Sequence, residues 1–510
     1  MKQAATLLAV LVFPGVAFGQ SKPAATCDQL AAALKLSNTT ITMAQLVPAG
    51  AFTPPVAAGA QAPQAIPDVP AFCRVAATVA PSNDSDIKLE VWLPASGWNG
   101  RFQGVGNGGW AGSIQYAALA GAVKKGYAAA STDTGHVGGT AAFAMGHPEK
   151  LVDFAHRAVH ELAVQGKAVT AAFYGNAPKY SYFTGCSNGG RQGFKSAQRY
   201  PGDFDGIVSG SPAFHWTSTM AASVAIAQTT MSDAANQLPA DKLKVLNQAA
   251  IGACDARDGV TDGVVENPNA CAFDAKVVQC TSGDGPNCLT SAQVKAANMI
   301  YDRDGNGPFV GLKPGSELGW TQLAGGPTPF RVGDELFKYV VFTNAKWDFL
   351  TFRFPQDLEL AQKIDNGLID ATDPNLKPFA DRGGKLLVWH GWSDQVIGSQ
   401  HSIDYYNRVV ATMGEASTDK AVRLFMAPGV THCGGGVGPS NFDALAAVEQ
   451  WVEQGKAPSQ LLASRITDGK IDRTRPICAY PQVAAYKGTG STDDAQNFVC
   501  KAAVAPRSNQ

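Results

Sequence analysis

The chain carries little charge. Asp, Glu, Lys and Arg make up 16% of its 510 residues and nearly cancel, leaving a formal net charge of −1. No block of five or six like charges occurs. A surface that holds nucleic acid or an anionic bilayer needs clustered cations, so neither is expected as a partner. Long apolar runs are also missing. Leu7 to Val16 in "MKQAATLLAVLVFPGVAFGQS" is short of the ~20 residues a membrane span needs. With Lys2 before it and the small residues Ala17 and Gly19 after it, this stretch reads as a cleaved secretory signal over residues 1–19. No C-x-x-C pair is present, which argues against a thioredoxin-like or zinc-ribbon site. There is no internal repeat and no low-complexity tract.

Hydrophobic residues make up 45% of the chain, enough for a large core in two or three domain-sized units. There are ten cysteines: Cys27, Cys73, Cys186, Cys254, Cys271, Cys280, Cys288, Cys433, Cys478 and Cys500. In an exported chain an even count implies disulfides, so a secreted or periplasmic protein is expected. Residues 20 to about 80 are rich in Ala and Pro with weak periodicity, and predict an N-terminal segment wrapped on the core. From Ile87 strands and helices alternate. "IKLEVWLP", "RFQGV", "GYAAAST", "KYSYFTG" and "FDGIVSG" read as strands, with helical periods in residues 152–175 and 190–201, the latter closed by Pro201. That alternation implies an α/β fold with a parallel sheet covered on both faces. The rhythm breaks near Pro212 and returns in "KLLVWHGWSDQVI" and "AVRLFMAPGVTHC". The expected organisation is therefore a core domain of residues 20–212 and 376–510, interrupted by an inserted lid domain at 213–375.

Within "TGCSNGGRQG", Gly185-Cys186-Ser187-Asn188-Gly189 fits G-x-S-x-G, the tight strand-to-helix turn that lifts a serine oxygen into an active site. A serine hydroxyl becomes a nucleophile when an imidazole takes its proton and a carboxylate orients that imidazole. In the α/β-hydrolase fold the acid and the histidine follow late strands, in that order. Asp394 and His432 stand in those places. Each proposed partner has a cysteine beside it. If Ser187 meets His432, Cys186 and Cys433 come within the roughly 4.4–6.8 Å Cα spacing that a disulfide needs. Separate pairing of each cysteine for stability alone is the alternative.

"GCSNGG", Asp394 in "WSDQVI" and "THC" together resemble the tannase and feruloyl esterase family, which includes mono(2-hydroxyethyl) terephthalate hydrolases. The likeness extends through "GSPAFHW", "GLKPGSELGW" and "RTRPICAYPQVAAYKGTG" to almost the whole mature chain. It implies an α/β-hydrolase core with a large lid, Ser187 as nucleophile, His432 as general base then acid, and Asp394 as its orienting carboxylate. It also implies a Cys186–Cys433 bridge, which makes Cys186 a staple and not a second nucleophile. The oxyanion donors it implies are the amides of Asn188 and of Gly109 in "GNGGW", with Gly108 as the near alternative. The family's pairing scheme adds Cys27–Cys73, Cys254–Cys271, Cys280–Cys288 and Cys478–Cys500.

In "CDARDGVTDGVVENPNAC" the carboxylates of Asp255, Asp258 and Asp262 stand among glycines with almost no positive charge nearby in sequence. Hard calcium takes carboxylate and carbonyl oxygens on a flexible loop. The spacing resembles the family's calcium loop and implies a structural Ca2+ on these three residues and the carbonyls of Val260 and Val264; a solvated acidic turn is the bland alternative. "DRDGNG" at 302–307 starts like an EF-hand loop, but Lys313 stands where the bidentate Glu belongs, so a hairpin turn is expected. His156 and His160 are four apart on a helix without H-E-x-x-H, so packing or solvent exposure is expected of them.

The lid holds Trp320, Phe330, Phe337, Tyr339, Phe342, Trp347, Phe349 and Phe352, which either pack as lid core or sandwich an aromatic acyl group. Trp320 is the expected substrate contact, and Arg331 is the lid arginine beside the aromatics. The resulting expectation is a serine carboxylesterase for feruloyl, hydroxycinnamoyl or galloyl esters, as a monomer or weak homo-oligomer with a small ester as partner. Two alternatives stay open: a mono(2-hydroxyethyl) terephthalate hydrolase, and a non-catalytic calcium-stabilised binding protein on the same scaffold.

Overall fold

The computed structural model describes residues 25–55, 64–302 and 310–503. The expected signal segment, and the "DRDGNG" turn beyond Asp302, lie outside the described residues. The strands of the main sheet, in chain order, are β1 (Thr39–Val47), β2 (Phe72–Val79), β3 (Ile87–Pro94), β4 (Arg101–Val105), β5 (Ala128–Thr132), β6 (Tyr180–Cys186), β7 (Gly206–Gly210), β8 (Lys385–Gly391) and β9 (Val422–Ala427). They lie side by side in the order β1-β2-β3-β5-β4-β6-β7-β8-β9. The stretch from β5 through β9 is parallel, and β1, β2 and β3 extend it antiparallel.

The parallel strands are largely buried because both faces are covered, and consecutive residues feed opposite cores. Phe183, Ile207, Leu386 and Leu424 pack against Leu162 and Phe173 of helix Ala158–Tyr174 and Phe194 of helix Asn188–Arg199. Their neighbours Tyr182, Val208, Leu387 and Phe425 turn to the other face, against helices Tyr116–Lys124 and Ala444–Gln454. Ser187 leaves the centre of this sheet at the carboxyl end of β6, where open α/β sheets present their ligand crevice.

The N-terminal segment differs from the sequence expectation. It is not simply wrapped on the core: β1 and β2 are full members of the sheet, tied by Cys27–Cys73. The weak periodicity has a physical reason. β1 is an edge strand with little burial, and a register shift between Ile41 and Met43 breaks its alternation.

Residues 211–384 lie between β7 and β8. One part folds around Leu243, Leu246, Ile300, Trp320 and Leu323. A second part brings Phe337, Phe352 and Ile369 onto Trp110 and Phe154 of the core. The aromatics there largely pack on one another: Phe337 and Phe342 lie 5.4 and 5.3 Å from Trp347 between ring centroids, and Phe352 lies 5.1 Å from Phe337. After helix Ala444–Gln454 come two hairpins, Gln460–Thr467 with Lys470–Cys478 and Gln482–Tyr486 with Phe498–Ala502. Among the described residues no helix is long and apolar enough to cross a membrane.

Candidate active site

β6 ends at Cys186, and Ser187 turns the chain into helix Asn188–Arg199 with φ +62° and ψ −122°. A non-glycine residue is strained there and persists only when its surroundings fix it. The Ser187 N–H donates to the Gly210 carbonyl at 3.0 Å, and its own carbonyl accepts from the Arg191 and Ala213 amides at 3.0 and 3.1 Å. Glycine is required on either side of the turn. A Cβ on Gly185 would fall 2.5 Å from the Gly189 backbone, and one on Gly189 would fall 3.1 Å from the Asn107 carbonyl oxygen.

Asp394 sits three residues beyond β8 and is 1% exposed. Its Oδ1 accepts the Val396 and Ile397 amides, both at 2.9 Å. Its Oδ2 lies 2.8 Å from His432 Nδ1 and 3.2 Å from His390 Nε2. Burial alone would raise this carboxyl. The charge of His432 and the contacts with both imidazoles outweigh burial and hold it well below the usual carboxylate range. Burial likewise opposes a charged His432, but the Asp394 charge and hydrogen bond prevail and raise that imidazole above its ordinary value. With Nδ1 engaged by Asp394, His432 has Nε2 left for a nucleophile. Ser187 Oγ forms no hydrogen bond among the described residues. What brings the two loops together is the Cys186–Cys433 bridge, with Cα atoms 5.8 Å apart.

Asn188 opens the elbow helix, and Gly109 lies at φ +51° in the loop after β4. No hydrogen bond among the described residues uses either amide. That loop is braced from behind by buried His136, which donates from Nε2 to the Trp110 carbonyl at 2.9 Å and stacks on Phe143. The Trp110 indole N–H donates in turn to the carbonyl of Val332 in the insertion, at 3.0 Å. His390, Asn107 and Gln192 were also missed. His390 lay in the quoted "VWHGWSD", four residues before Asp394, and that spacing was the available signal.

Trp320 does not occupy the place expected of it. It is fully buried, its N–H donates to Ser316 Oγ at 2.9 Å, and it packs on Tyr301, so it offers no surface to a substrate. Arg331 is exposed; its guanidinium donates to the Gly139 carbonyl and lies 3.5 Å from Glu335. His156 is buried against the Tyr200 hydroxyl, and His160 contacts Asp203.

The acidic loop is closed by Cys254–Cys271. Asp255 accepts the Asp262 and Gly263 amides, and Asp258 accepts those of Val260 and Glu266. The expectation that little positive charge offsets these acids is corrected at Asp262, where Arg475 and Arg473 stand 2.6 and 3.3 Å from Oδ2. Those cations arrive from strand Lys470–Cys478 of the first hairpin, more than two hundred residues away in sequence. Among the described residues no three His, Cys, Asp or Glu side chains converge as a metal-binding group. No hydrogen bond among the described residues ends on the carbonyls of Val260 or Val264, both buried.

The strand order and the serine elbow, with an acid and a histidine on the loops after β8 and β9, define a hydrolase of the α/β type. The profile "Tannase and feruloyl esterase" matches residues 73–327 and 330–501. The chain is 36% identical to an uncharacterised esterase of Xanthomonas campestris pv. campestris, over 97% of this chain and 94% of that one. It is 35% identical to a probable feruloyl esterase B-2 of Aspergillus oryzae, over 93% and 95%. The crystal structure of feruloyl esterase B from Aspergillus oryzae superimposes with a TM-score of 0.87 at 33% identity, covering 93% of this chain and 99% of that one. Tannin acyl hydrolase from Aspergillus niger shares the fold, with a TM-score of 0.77 at 24% identity over 95% and 96%. The chain belongs to the tannase and feruloyl esterase family and is a carboxylic ester hydrolase.

The bridge beside the serine and histidine closes a stretch of 247 residues. In the chain-entropy model this contributes about 5.5 kcal/mol, with measured values often lower. Replacing Cys186 and Cys433 together by serine is expected to lower the urea midpoint and to reduce kcat about tenfold or more, because loop placement is lost with stability. Equal midpoints and rates in the double variant would show that the two loops are held by packing alone.

Proposed function

We propose that the chain hydrolyses esters of aromatic acids through an acyl-enzyme, with Ser187, His432 and Asp394 as the triad. The observation that carries this reading is the 2.8 Å contact from His432 Nδ1 to buried Asp394, bridged in sequence to a strained serine elbow. The Ser187 hydroxyl passes its proton to His432 Nε2 as Oγ attacks the ester carbonyl. The tetrahedral oxygen takes its negative charge beside the amides of Asn188 and Gly109, and each such donor is worth roughly 10²–10³ in rate. His432 then gives its proton to the departing alcohol oxygen. Water attacks the acyl-serine with His432 again as base, and the acid leaves. The aromatic acyl class comes from the relatives, which bear the names feruloyl esterase and tannin acyl hydrolase. Arg331 already serves Gly139 and Glu335, which argues against its use on the free carboxylate of a terephthalate monoester. A binding protein without catalysis has no reason to hold a buried carboxylate on a histidine beside such an elbow. Five disulfides suit an oxidising compartment, in keeping with export.

The proposal includes a structural Ca2+ on the Cys254–Cys271 loop. Asp255, Asp258 and Asp262 supply hard oxygens, and the unbonded carbonyls of Val260 and Val264 fit the same donor chemistry. The ion would cross-link the loop and takes no part in the proton transfers. Chelation with EGTA is expected to lower the melting temperature, with recovery on added calcium; an unchanged melting temperature would end the calcium proposal and leave Asp262 to its ion pairs with Arg473 and Arg475.

Initial rates on methyl ferulate, methyl gallate and mono(2-hydroxyethyl) terephthalate test the chemistry directly. Activity on at least one of the first two, lost in Ser187→Ala, is expected; turnover that survives Ser187→Ala would end the reading. The pH dependence carries a sign. His432 must be neutral to accept the serine proton, so kcat/KM should fall as pH drops through its raised pKa. In Asp394→Asn the charge that raises it is gone, and the acidic limb should move to lower pH while kcat falls by about 10⁴. A limb that stays in place would assign the titration to another group.

A further inference from the structure

Two side chains outside the proton path join the two halves of the proposed oxyanion site. Loop 106–112 follows β4 and carries Gly109; Asn188 starts the helix after β6. The loop and the helix touch backbone to backbone: a Cβ on Gly106 would fall 2.8 Å from Gly189 Cα. Across that contact the Asn107 amide donates to Gln192 Oε1 at 3.2 Å, and Gln192 Nε2 donates back to Asn107 Oδ1 at 2.8 Å. Asn107 Nδ2 also donates to the Thr132 carbonyl at 2.7 Å, which ties the same residue to the end of β5. Both residues are buried, at 4% and 1% exposure. Gln192 stands one turn beyond Asn188 on the helix, and Asn107 two residues before Gly109 in the loop.

The amides of Asn188 and Gly109 come from segments that are far apart in sequence and share no strand pairing of their own at this point. Contact between glycines sets how close the loop comes, the Gly106 amide on the Thr184 carbonyl at 2.9 Å fixes its start and His136 braces Trp110 further on, but the stretch between can still shift along the helix. A reciprocal pair of directional bonds removes that freedom. We propose that Asn107 and Gln192 are positioning residues that hold the two oxyanion amides in register, an inference that rests on the esterase reading above. Donors aimed at a developing charge tolerate little error, and a misplacement of about 1 Å costs on the order of 10²-fold in rate. The clasp therefore acts on the transition state more than on the bound ester, because the amides matter most when the carbonyl oxygen becomes tetrahedral.

The test is Gln192→Met, which keeps the length of the side chain and removes both bonds. On methyl ferulate, kcat should fall about ten- to hundredfold with KM changed less than about threefold. The affinity for an aryl boronic acid, which forms a tetrahedral adduct on a serine, should fall in parallel, while inhibition by free ferulic acid stays within about twofold. A role in stability alone would move neither ratio. If Gln192→Met does not fold, Gln192→Glu keeps the acceptor for the Asn107 amide and should show the same pattern in smaller measure. A kcat within about threefold of wild type, or a loss of kcat with boronate affinity preserved, would overturn the proposal. Ser187→Ala measured alongside separates the two levels: activity that survives it removes the esterase reading, whereas a dead Ser187→Ala with an unaffected Gln192 variant removes the clasp alone.

Discussion

The tight turn at Ser187 is the constraint on which the rest of the site depends. A serine at φ +62° is held there by its surroundings: the Gly210 carbonyl on its amide, the Arg191 and Ala213 amides on its carbonyl, and the bridge at Cys186. Because the turn is so tight, helix Asn188–Arg199 starts directly against β6, and Gly185 touches Gly189. Because Gly189 has no side chain, loop 106–112 can lie on the helix. Larger residues at either glycine would force β6, the helix and loop 106–112 apart.

The same helix also secures the long insertion. Arg191 is fully buried and donates to the Ala155 and Ile369 carbonyls at 2.8 and 3.1 Å and to Asn188 Oδ1 at 2.7 Å. Lys195 donates to the Gly367 and Asp370 carbonyls, and burial pulls its ammonium down to about 8. Two buried cations thus hold the segment by which the insertion returns to β8. The arrangement is costly in desolvation, and the nearby carboxylates of Asp365 and Asp370 offset part of that cost. The elbow helix therefore follows the serine directly, stands beside loop 106–112 and anchors the insertion.

Much of the core was legible because its signals are local. Strands that are apolar on both faces read as parallel sheet, and "GCSNGG" marks a turn that only small residues permit. Asp394 and His432 followed from their order after late strands. Other features depended on distant partners. The charge on Asp262 meets Arg473 and Arg475 only once strand Lys470–Cys478 packs against the acidic loop. Trp320 looked like a ligand contact because it stands in the family-like "GSELGW" among the aromatics of the lid. Ser316, four residues earlier, takes its N–H, and the insertion's own core covers the ring. β1 was obscure because an edge strand with a register shift has no clean alternation to read.

The acid side of the site is built on a different principle from the serine side. Asp394 is a buried carboxylate, which persists as an ion only when every lone pair finds a partner. Two backbone amides occupy one oxygen and two histidines stand at the other. His390 Nε2 lies between two acceptors, Asp394 Oδ2 and the Ile397 carbonyl, so that nitrogen carries the proton. The Ser402 hydroxyl, 2.7 Å from Nδ1, then serves as the donor to the other nitrogen. The carboxylate is thereby fixed in position and charge before any substrate arrives. Strain sits at Ser187 and full satisfaction at Asp394. His432, whose Nδ1 meets that carboxylate, is itself partly exposed.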